Sequence, residues 1–177
     1  MAVIKGRTVF VIGGARSGKS TFALEKAGSF PGKKAYIATA EPLDDEMRKR
    51  IEKHRVERGG DWETFEEPVK IARILKEMGS GFNAAVIDCL TLWLSNLLLG
   101  TEDPEEEIES FLASLGGGGH PPLFVVSNEV GMGIVPDNAL SRRFRDLAGH
   151  LNQKVAAIAD EVYLVTAGIP VRIKPWE

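Results

Sequence analysis

The 177-residue sequence contains little cysteine, few aromatic residues and no excess of basic charge. Its single cysteine, Cys89, excludes a disulfide framework and a zinc cluster built from several cysteines. The formal net charge is −3, whereas broad nucleic-acid binding usually needs a basic surface. Aromatic residues make up 7% of the chain, which also argues against a face that stacks on bases. We therefore expect no nucleic-acid partner.

The sequence also lacks a long apolar run. Residues 1–7 show no basic cluster followed by an apolar stretch, so we expect no signal peptide. The longest apolar stretch, residues 90–99, is interrupted by polar residues and falls short of the ~20 residues that span a bilayer. We expect a cytoplasmic protein with no membrane span. A hydrophobic fraction of 44% at this length predicts one globular domain over residues 1–177.

Short apolar runs alternate with helical patterns along the chain. The runs predict strands at 8–12, 34–39, 62–66, 84–88, 122–127, 161–166 and 171–174. The periodic segments predict helices at 19–29, 43–58, 69–78, 90–99, 105–115 and 137–159. This alternation predicts an α/β fold: a mainly parallel sheet with helices on both faces. The last two strands are joined too briefly for a crossover helix, which predicts an antiparallel edge strand. Glycines 116–119 are interpreted as a plain connector.

The strongest chemical motif follows the first strand and matches GxxxxGK[ST] in full. It consists of Gly13, Gly14, Ala15, Arg16, Ser17, Gly18, Lys19 and Ser20. Glycines allow backbone N–H groups to turn towards phosphate oxygens, and the following helix adds the positive end of its dipole. Lys19 is predicted to reach the terminal phosphates, and the Ser20 hydroxyl to ligate Mg²⁺. The motif predicts a P-loop NTPase fold of the RecA-like type.

An acidic residue at the end of a nearby strand usually completes the magnesium site of a P-loop. Asp88 ends the apolar run 84–87 and is the candidate for this role. The alternative is that Asp88 caps the helix that follows.

His54 lies on one face of the helix predicted at 43–58. Met47, Ile51, His54 and Arg58 follow a 4, 3, 4 spacing, and the two apolar residues mark the face that turns towards the protein. A pocket near the end of this helix would give His54 a chemical role. On spacing alone, a packed or hydrogen-bonded histidine remains the alternative.

Residues 127–136 follow a predicted strand and contain two glycines. Loops at the carboxyl ends of parallel strands line the ligand crevice, so this loop should lie beside the P-loop, Thr39 and Asp88. Glu129 is a candidate acid or base there. The alternative is a tight loop before a helix capped by Asp137.

On these and further segments, the chain resembles the bifunctional adenosylcobinamide kinase/adenosylcobinamide-phosphate guanylyltransferase family of cobalamin biosynthesis. The segments are 13–20, 36–40, 43–47, 50–51 with His54 and Arg58, 127–136, 144–149, 152–153 and 159–162. They cover nearly the whole chain, and the strings GGARSGKS and SNEVGMGIVP are highly specific in combination.

The resemblance implies two reactions. Family members phosphorylate a hydroxyl of adenosylcobinamide with ATP or GTP, and then transfer GMP from GTP to adenosylcobinamide phosphate. The second reaction passes through a guanylylated histidine, a role that falls on His54, with pyrophosphate and adenosylcobinamide-GDP as products. The resemblance also implies a homotrimer. The implied nucleotide-binding residues are 13–20, Ala38, Thr39, Ala40, Arg55, Val56, Glu57, Arg58, Glu66 and Asp88.

Two other functions share part of this pattern. A small-molecule P-loop kinase without covalent chemistry needs the P-loop and Asp88 but no histidine. A P-loop module that couples ATP to movement of a nucleic acid or protein partner would need a basic groove or an aromatic face, and the composition disfavours both.

Overall fold

The computed structural model describes residues 6–41, 59–79, 81–100 and 103–175. Its strands are β1 (Thr8–Gly13), β2 (Lys34–Ala38), β3 (Trp62–Glu66), β4 (Ala84–Asp88), β5 (Leu123–Asn128), β6 (Glu161–Thr166) and β7 (Ile169–Lys174). Its helices are α1 (Lys19–Gly28), α2 (Ile71–Met78), α3 (Leu90–Leu99), α4 (Pro104–Gly117) and α5 (Ala139–Ile158). These elements agree with the predicted ones to within a few residues. The helix predicted at 43–58 lies outside the described residues.

The described strands form one seven-stranded sheet in the order β3-β2-β4-β5-β1-β6-β7. Every neighbouring pair is parallel except β6 and β7, which run antiparallel at the edge. This confirms the predicted sheet and its antiparallel edge strand. Strand β2 is buried along its whole length, because a parallel sheet is covered on both faces and its inner strands read as continuous apolar runs.

Two separate apolar layers cover the sheet. On one face, α1 packs Ala23 and Ala27 against strand residues such as Val126. On the other face, α2 to α5 form a larger layer around side chains such as Trp93 and Phe111. This arrangement confirms the prediction of helices on both faces. None of the described helices has the length and apolar character that a bilayer crossing needs.

The helix ends refine the sequence predictions. The Asp103 carboxylate accepts hydrogen bonds from the N–H groups of Glu105 and Glu106, and Pro104 occupies the first turn of α4. Helix α5 is capped by Asn138, whose side chain accepts from Ser141 N. The expectation of a cap at Asp137 is therefore wrong by one residue, because an amide oxygen caps as well as a carboxylate.

The structure divides glycines 116–119, which the sequence predicts to be a connector, between the end of α4 and the segment that follows it. Gly116 and Gly117 continue α4, and the helix stops at Gly118, whose φ of 69° favours glycine. The expectation of a loop from Gly116 is thus wrong at its first two residues, since burial of Leu115 by the larger layer keeps the last turn helical.

The parallel order brings the carboxyl ends of β1 to β5 to one edge of the sheet. Gly13 pairs with Asn128, Ala38 pairs with both Asp88 and Glu66, and β5 lies between β1 and β4. Residues that are far apart in sequence therefore meet along this carboxyl edge, where open parallel sheets bind their ligands.

Candidate active site

The P-loop links β1 to α1 at the carboxyl edge of the sheet. Arg16 has a φ of 56°, and Gly18 has a φ of 98°, which favours glycine because it lies in the left-handed region. Gly18 also precedes α1 directly, and its carbonyl accepts the hydrogen bond from Phe22 N. No side chain caps this helix, and its first turn contains no acidic residue. The positive end of the helix is thus available to an anion.

Lys19 begins α1 with a side chain that is 6% exposed. Its Nζ donates to the carbonyl oxygen of Gly14 at 2.5 Å and lies 3.5 Å from the Ser17 hydroxyl. The amine therefore lies over the first residues of the loop. Ser20 follows in the first turn of the helix and is half-buried. Ala15 and Arg16 are exposed at the tip of the loop.

The β6–β7 turn supports the P-loop from the side. The N–H of Gly168 donates to the carbonyl oxygen of Ser17 at 2.8 Å. A β-carbon on Gly18 would stand 3.2 Å from Gly168 Cα, so the loop and the turn are nearly in backbone contact. This contact joins the P-loop to the antiparallel edge of the sheet, a relationship that the motif alone does not indicate.

Asp88 ends β4 at the same edge and is half-buried. The Tyr36 hydroxyl donates to Asp88 Oδ2 at 3.0 Å, and among the described residues no hydrogen bond is made to the other carboxylate oxygen. The helix after β4 is preceded by Cys89, and no side chain caps it. The alternative reading of Asp88 as a helix cap is therefore wrong.

Thr39 lies next to Asp88 and forms hydrogen bonds with the backbone just before α3. Its N–H donates to the carbonyl oxygen of Asp88 at 3.2 Å, and its hydroxyl is 2.8 Å from both the N–H and the carbonyl oxygen of Cys89. The amide of Asn96 in turn donates to the carbonyl oxygen of Thr39 at 2.8 Å. These bonds fix the segment that contains Ala38, Thr39 and Ala40 against β4.

The thiol of Cys89, which follows Asp88, is buried and has a raised pKa. The folded state raises its pKa from 9.0 to about 11: burial is the largest cause, the negative charge of Asp88 also raises the pKa, and the positive charge of Lys19 lowers it. Both charged groups therefore lie close enough to act on one buried atom. Independently of this effect, the fold places Asp88 at the end of β4 and Lys19 at the start of α1, which both lie at the carboxyl edge of the sheet.

Glu129 follows β5 and adjoins the beginning of the P-loop. Its N–H donates to the carbonyl oxygen of Gly13 at 2.9 Å, and its carboxylate accepts from the N–H of Gly131 at 2.5 Å. The sequence prediction that this loop lies beside the P-loop is thus borne out by the backbone contact. Glu66 is farther along the edge, exposed at the end of β3.

The remaining predicted residues cannot be placed. His54, Arg55, Val56, Glu57 and Arg58 lie outside the described residues. Sequence reasoning missed the supporting roles of Tyr36 and Asn96, since neither belongs to the P-loop motif and each acts on a residue that is more than 50 positions away. One indication of these roles is present in the sequence: Tyr36 and Asn96 are each a residue with a polar group within an otherwise apolar segment.

The described residues contain no group of three or more His, Cys, Asp or Glu side chains that could hold a metal ion. They fit Mg²⁺ in another way. One carboxylate, Asp88, and one hydroxyl, Ser20, lie on the same edge, and Mg²⁺ usually takes its other ligands from phosphates and water. The open oxygen of Asp88 suits this arrangement.

Comparison with known proteins gives a consistent result. The family model described as cobinamide kinase / cobinamide phosphate guanyltransferase matches residues 9–173. A bifunctional adenosylcobalamin biosynthesis protein, CobP of Pseudomonas aeruginosa, is 43% identical over 169 residues, which cover 93% of this chain and 95% of the relative. The CobU proteins of Salmonella typhimurium and Escherichia coli, which carry the same description, are 41% and 40% identical, over 94% of this chain and 99% of each relative.

The fold also has a likeness among solved structures. A crystal structure of the RadB recombinase superposes with a TM-score of 0.50 at 16% identity, over 90% of this chain and 74% of that chain. At this identity the likeness concerns the fold alone. It supports the RecA-like P-loop architecture that the motif and the strand order indicate.

Proposed function

Because the chain belongs to the cobinamide kinase / cobinamide phosphate guanyltransferase family, we propose that it catalyses both reactions of that family. In the first, a nucleoside triphosphate phosphorylates the hydroxyl of adenosylcobinamide. In the second, GMP from GTP is attached to adenosylcobinamide phosphate, which gives adenosylcobinamide-GDP and pyrophosphate. The observation that carries this proposal is a complete P-loop, with Lys19 packed at the start of α1, within a chain that aligns with bifunctional relatives over almost its whole length.

The P-loop residues 13–20 would hold the phosphates of ATP or GTP. Backbone N–H groups and the uncapped start of α1 supply partial positive charge, and Lys19 supplies a full one. Ser20 and Asp88 would hold Mg²⁺, which neutralises developing charge on the phosphates when it is bound. Thr39 and Glu66 lie along the same edge, where the rest of the nucleotide would extend.

The kinase step is a displacement at the γ-phosphorus. The substrate hydroxyl oxygen forms a bond to phosphorus, the bond to the β–γ bridging oxygen breaks, and the hydroxyl proton moves to a base. Glu129 is the candidate base, because its backbone adjoins Gly13 and its carboxylate accepts just one hydrogen bond from the described residues, that of Gly131 N. Positioning and charge neutralisation by the P-loop would supply most of the acceleration.

The guanylyl step is covalent. A nitrogen of neutral His54 attacks the α-phosphorus and pyrophosphate leaves; the phosphate of the corrinoid substrate then attacks the same phosphorus and frees the histidine. Covalent catalysis replaces one difficult displacement with two easier ones, and a ring nitrogen that exchanges its proton near neutral pH suits both. Arg16, Arg55 and Arg58 are the candidate groups that balance the phosphate charge.

Three further properties complete the proposal. We propose a cytoplasmic homotrimer, in which a helix of one subunit faces the P-loop of its neighbour, and no nucleic-acid partner. The acidic balance of the chain supports the last point. The continuous sheet in the described residues supports a single domain over residues 1–177.

Incubation with GTP labelled at the α-phosphate tests the covalent step. The wild-type protein should acquire a label that is stable to alkali and labile to acid, as a phosphorus–nitrogen bond is. His54→Ala should abolish the label, and His150→Ala, a change at an exposed histidine of α5, should leave it unchanged. An unlabelled wild-type protein in the presence of Mg²⁺ would contradict the guanylyltransferase proposal and favour the simple kinase.

A further inference from the structure

Helix α3 presents hydrogen-bond donors to the two segments that follow β2 and β3. The amide nitrogen of Asn96 donates to the carbonyl oxygen of Thr39 at 2.8 Å and to that of Pro68 at 3.1 Å. Trp93 lies one turn earlier in the helix, and its Nε1 donates to the carbonyl oxygen of Val69 at 2.7 Å. One face of α3 thus holds two segments that are separate in sequence.

The chemistry of the bonded groups fixes the orientation of the Asn96 amide. A carbonyl oxygen only accepts hydrogen bonds, so the nitrogen of the amide must face both Thr39 and Pro68. A leucine would fill a similar space but would leave both carbonyls without this donor. Asn96 is half-buried in a helix of mostly apolar residues, so packing alone would favour an apolar side chain at this position.

The two segments that Asn96 joins continue neighbouring parallel strands. The pairing of β2 with β3 extends to a bond from the N–H of Glu67 to the carbonyl oxygen of Ala38, at 2.9 Å. The next residue of each segment, Thr39 or Pro68, is bound to Asn96 instead. Asn96 therefore holds the two segments at a defined separation at the point where the sheet pairing ends.

The strand order indicates which part of a nucleotide would reach these segments. The P-loop follows β1, and β2 lies three strands away, about 14 Å at the usual strand spacing. Three linked phosphates are shorter than this distance, whereas a nucleoside triphosphate can extend over it. On the other side of the P-loop, the β6–β7 turn contacts Ser17 and Gly18, which leaves less room for a sugar and base. A nucleotide with its phosphates in the P-loop would thus place its nucleoside near the ends of β2 and β3.

The groups at the ends of these two strands suit a nucleoside. Glu66 is exposed at the end of β3, and its carboxylate can accept hydrogen bonds from N–H or O–H groups. Ala40 is half-buried just after β2 and offers a small side chain that allows close approach. Because a hydrogen bond weakens steeply when its distance or angle is poor, groups on the two segments act on one ligand only while their separation is kept.

We propose that Asn96 is a positioning residue for the nucleoside end of a bound nucleoside triphosphate, because it holds the segments after β2 and β3 in the geometry that the sugar and base contact. The proposal rests on the nucleotide use described above. Asn96 acts through Thr39 and Pro68 and does not touch the nucleotide itself. Its loss should therefore weaken the binding of a nucleotide but not the binding of linked phosphates alone.

Isothermal titration with two ligands separates the nucleoside from the phosphates. The ligands are the β,γ-imido analogue of GTP and inorganic tripolyphosphate, each with Mg²⁺; displacement of the bound analogue measures the affinity for tripolyphosphate. Asn96→Leu removes both donated bonds at similar side-chain size. It should lower the affinity for the imido analogue by roughly five- to tenfold and change that for tripolyphosphate by less than about twofold.

Two further variants keep this test specific. Asn96→Ala removes the same donors without adding an apolar branch, so it should change the ratio of the two affinities in the same direction. Asn83→Leu is the matched control: the Asn83 amide donates to the carbonyl oxygen of Pro31 at 2.6 Å, just before β4 at the opposite edge of the sheet. Its loss should change neither affinity, and a ratio lowered as much as in Asn96→Leu would overturn the assignment to Asn96.

Thermal melting of each variant separates positioning from stability. Val155→Ala removes buried methyl groups from the larger layer near the end of α5, so it should melt earlier and keep the wild-type ratio of affinities. Asn96 variants that melt earlier but keep this ratio would overturn the positioning role. Equal losses of affinity for the two ligands would overturn it as well.

The outcome is independent of the covalent reaction, because these measurements use binding alone. They can fail while the labelling of His54 succeeds. An unlabelled wild-type protein whose Asn96 variants lose affinity only for the imido analogue would reject the guanylyl reaction and retain the positioning role. A wild-type protein that binds tripolyphosphate as tightly as the analogue would overturn the inference, because the nucleoside would then contribute nothing to binding.

Discussion

Gly13 and Val165 approach so closely that a β-carbon on Gly13 would stand 2.2 Å from the carbonyl oxygen of Val165. Both residues belong to paired strands, β1 and β6, whose backbones cannot separate without loss of sheet hydrogen bonds. We therefore expect Gly13→Ala to lower the free energy of unfolding by about 1–3 kcal/mol, the usual cost of overpacking. Urea denaturation measures the change.

Gly14→Ala is the matched control for this prediction. A β-carbon at Gly14 would meet no atom within 4 Å, and its φ is not in the left-handed region. Its stability should remain within about 0.5 kcal/mol of the wild-type value. Equal destabilisation by the two variants would show that the contact with Val165 does not explain the requirement for glycine.

Lys19→Ala should impair both reactions. The same amine would hold the terminal phosphates in the kinase and guanylyl steps, and removal of one such donor typically lowers kcat by roughly a hundredfold. Steady-state assays of the two reactions measure the effect. Lys26→Ala, in the last turn of the same helix, should leave both rates unchanged. Loss of one activity alone would mean that the two reactions use separate nucleotide sites.

Asp88→Asn should raise the Mg²⁺ concentration required for half-maximal activity by roughly tenfold or more. The amide oxygen can still accept from Tyr36 but carries no charge for the cation. Magnesium titrations of either reaction test this result. Tyr36→Phe keeps the carboxylate and should produce a much smaller shift; a larger shift from Tyr36→Phe than from Asp88→Asn would contradict the assignment.

The stability of the protein should depend on the Cys89 thiol in alkaline solution. The folded state raises the pKa of this thiol from 9.0 to about 11, chiefly by burial. Between these values the unfolded chain releases the proton and the folded chain retains it, so the free energy of unfolding falls as the pH rises. The decrease amounts to at most about 2–3 kcal/mol.

Cys89→Ala separates this effect from the titration of other groups. Urea denaturation of both proteins at about pH 8 and about pH 10.5 should show a smaller alkaline decrease in the variant. Identical decreases would show that the thiol is not protonated preferentially in the folded state.

The sequence predicted those parts of the fold that depend on local pattern. The strands, the P-loop turn and the position of Asp88 at the end of β4 follow from apolar runs and from glycine and aspartate at their ends. The antiparallel edge was also predictable, because β6 and β7 are joined by two residues, which leaves no room for a crossover helix.

The long-range relationships could not be predicted in this way. That β5 lies between β1 and β4 depends on which strands pair, and many orders are compatible with the same apolar runs. The approach of Gly13 to Val165 follows from this order and from register, and so do the hydrogen bonds that the backbone of Asn128 makes to the side chains of Thr91 and Asn152. Thr91 and Asn152 each read as one polar residue in a helix until the sheet brings them to the same point.

The support that the β6–β7 turn gives to the P-loop has a consequence for the synthesis of the protein. Gly168 is synthesised roughly 150 residues after its partner Ser17, which takes about 8–30 s at about 5–20 residues per second. Throughout that interval the P-loop lacks both β6, which pairs with β1, and the β6–β7 turn, which donates a hydrogen bond to the carbonyl oxygen of Ser17. Competence to bind a nucleotide is therefore gained only after residue 168 has been synthesised, when the P-loop and the turn that supports it first coexist.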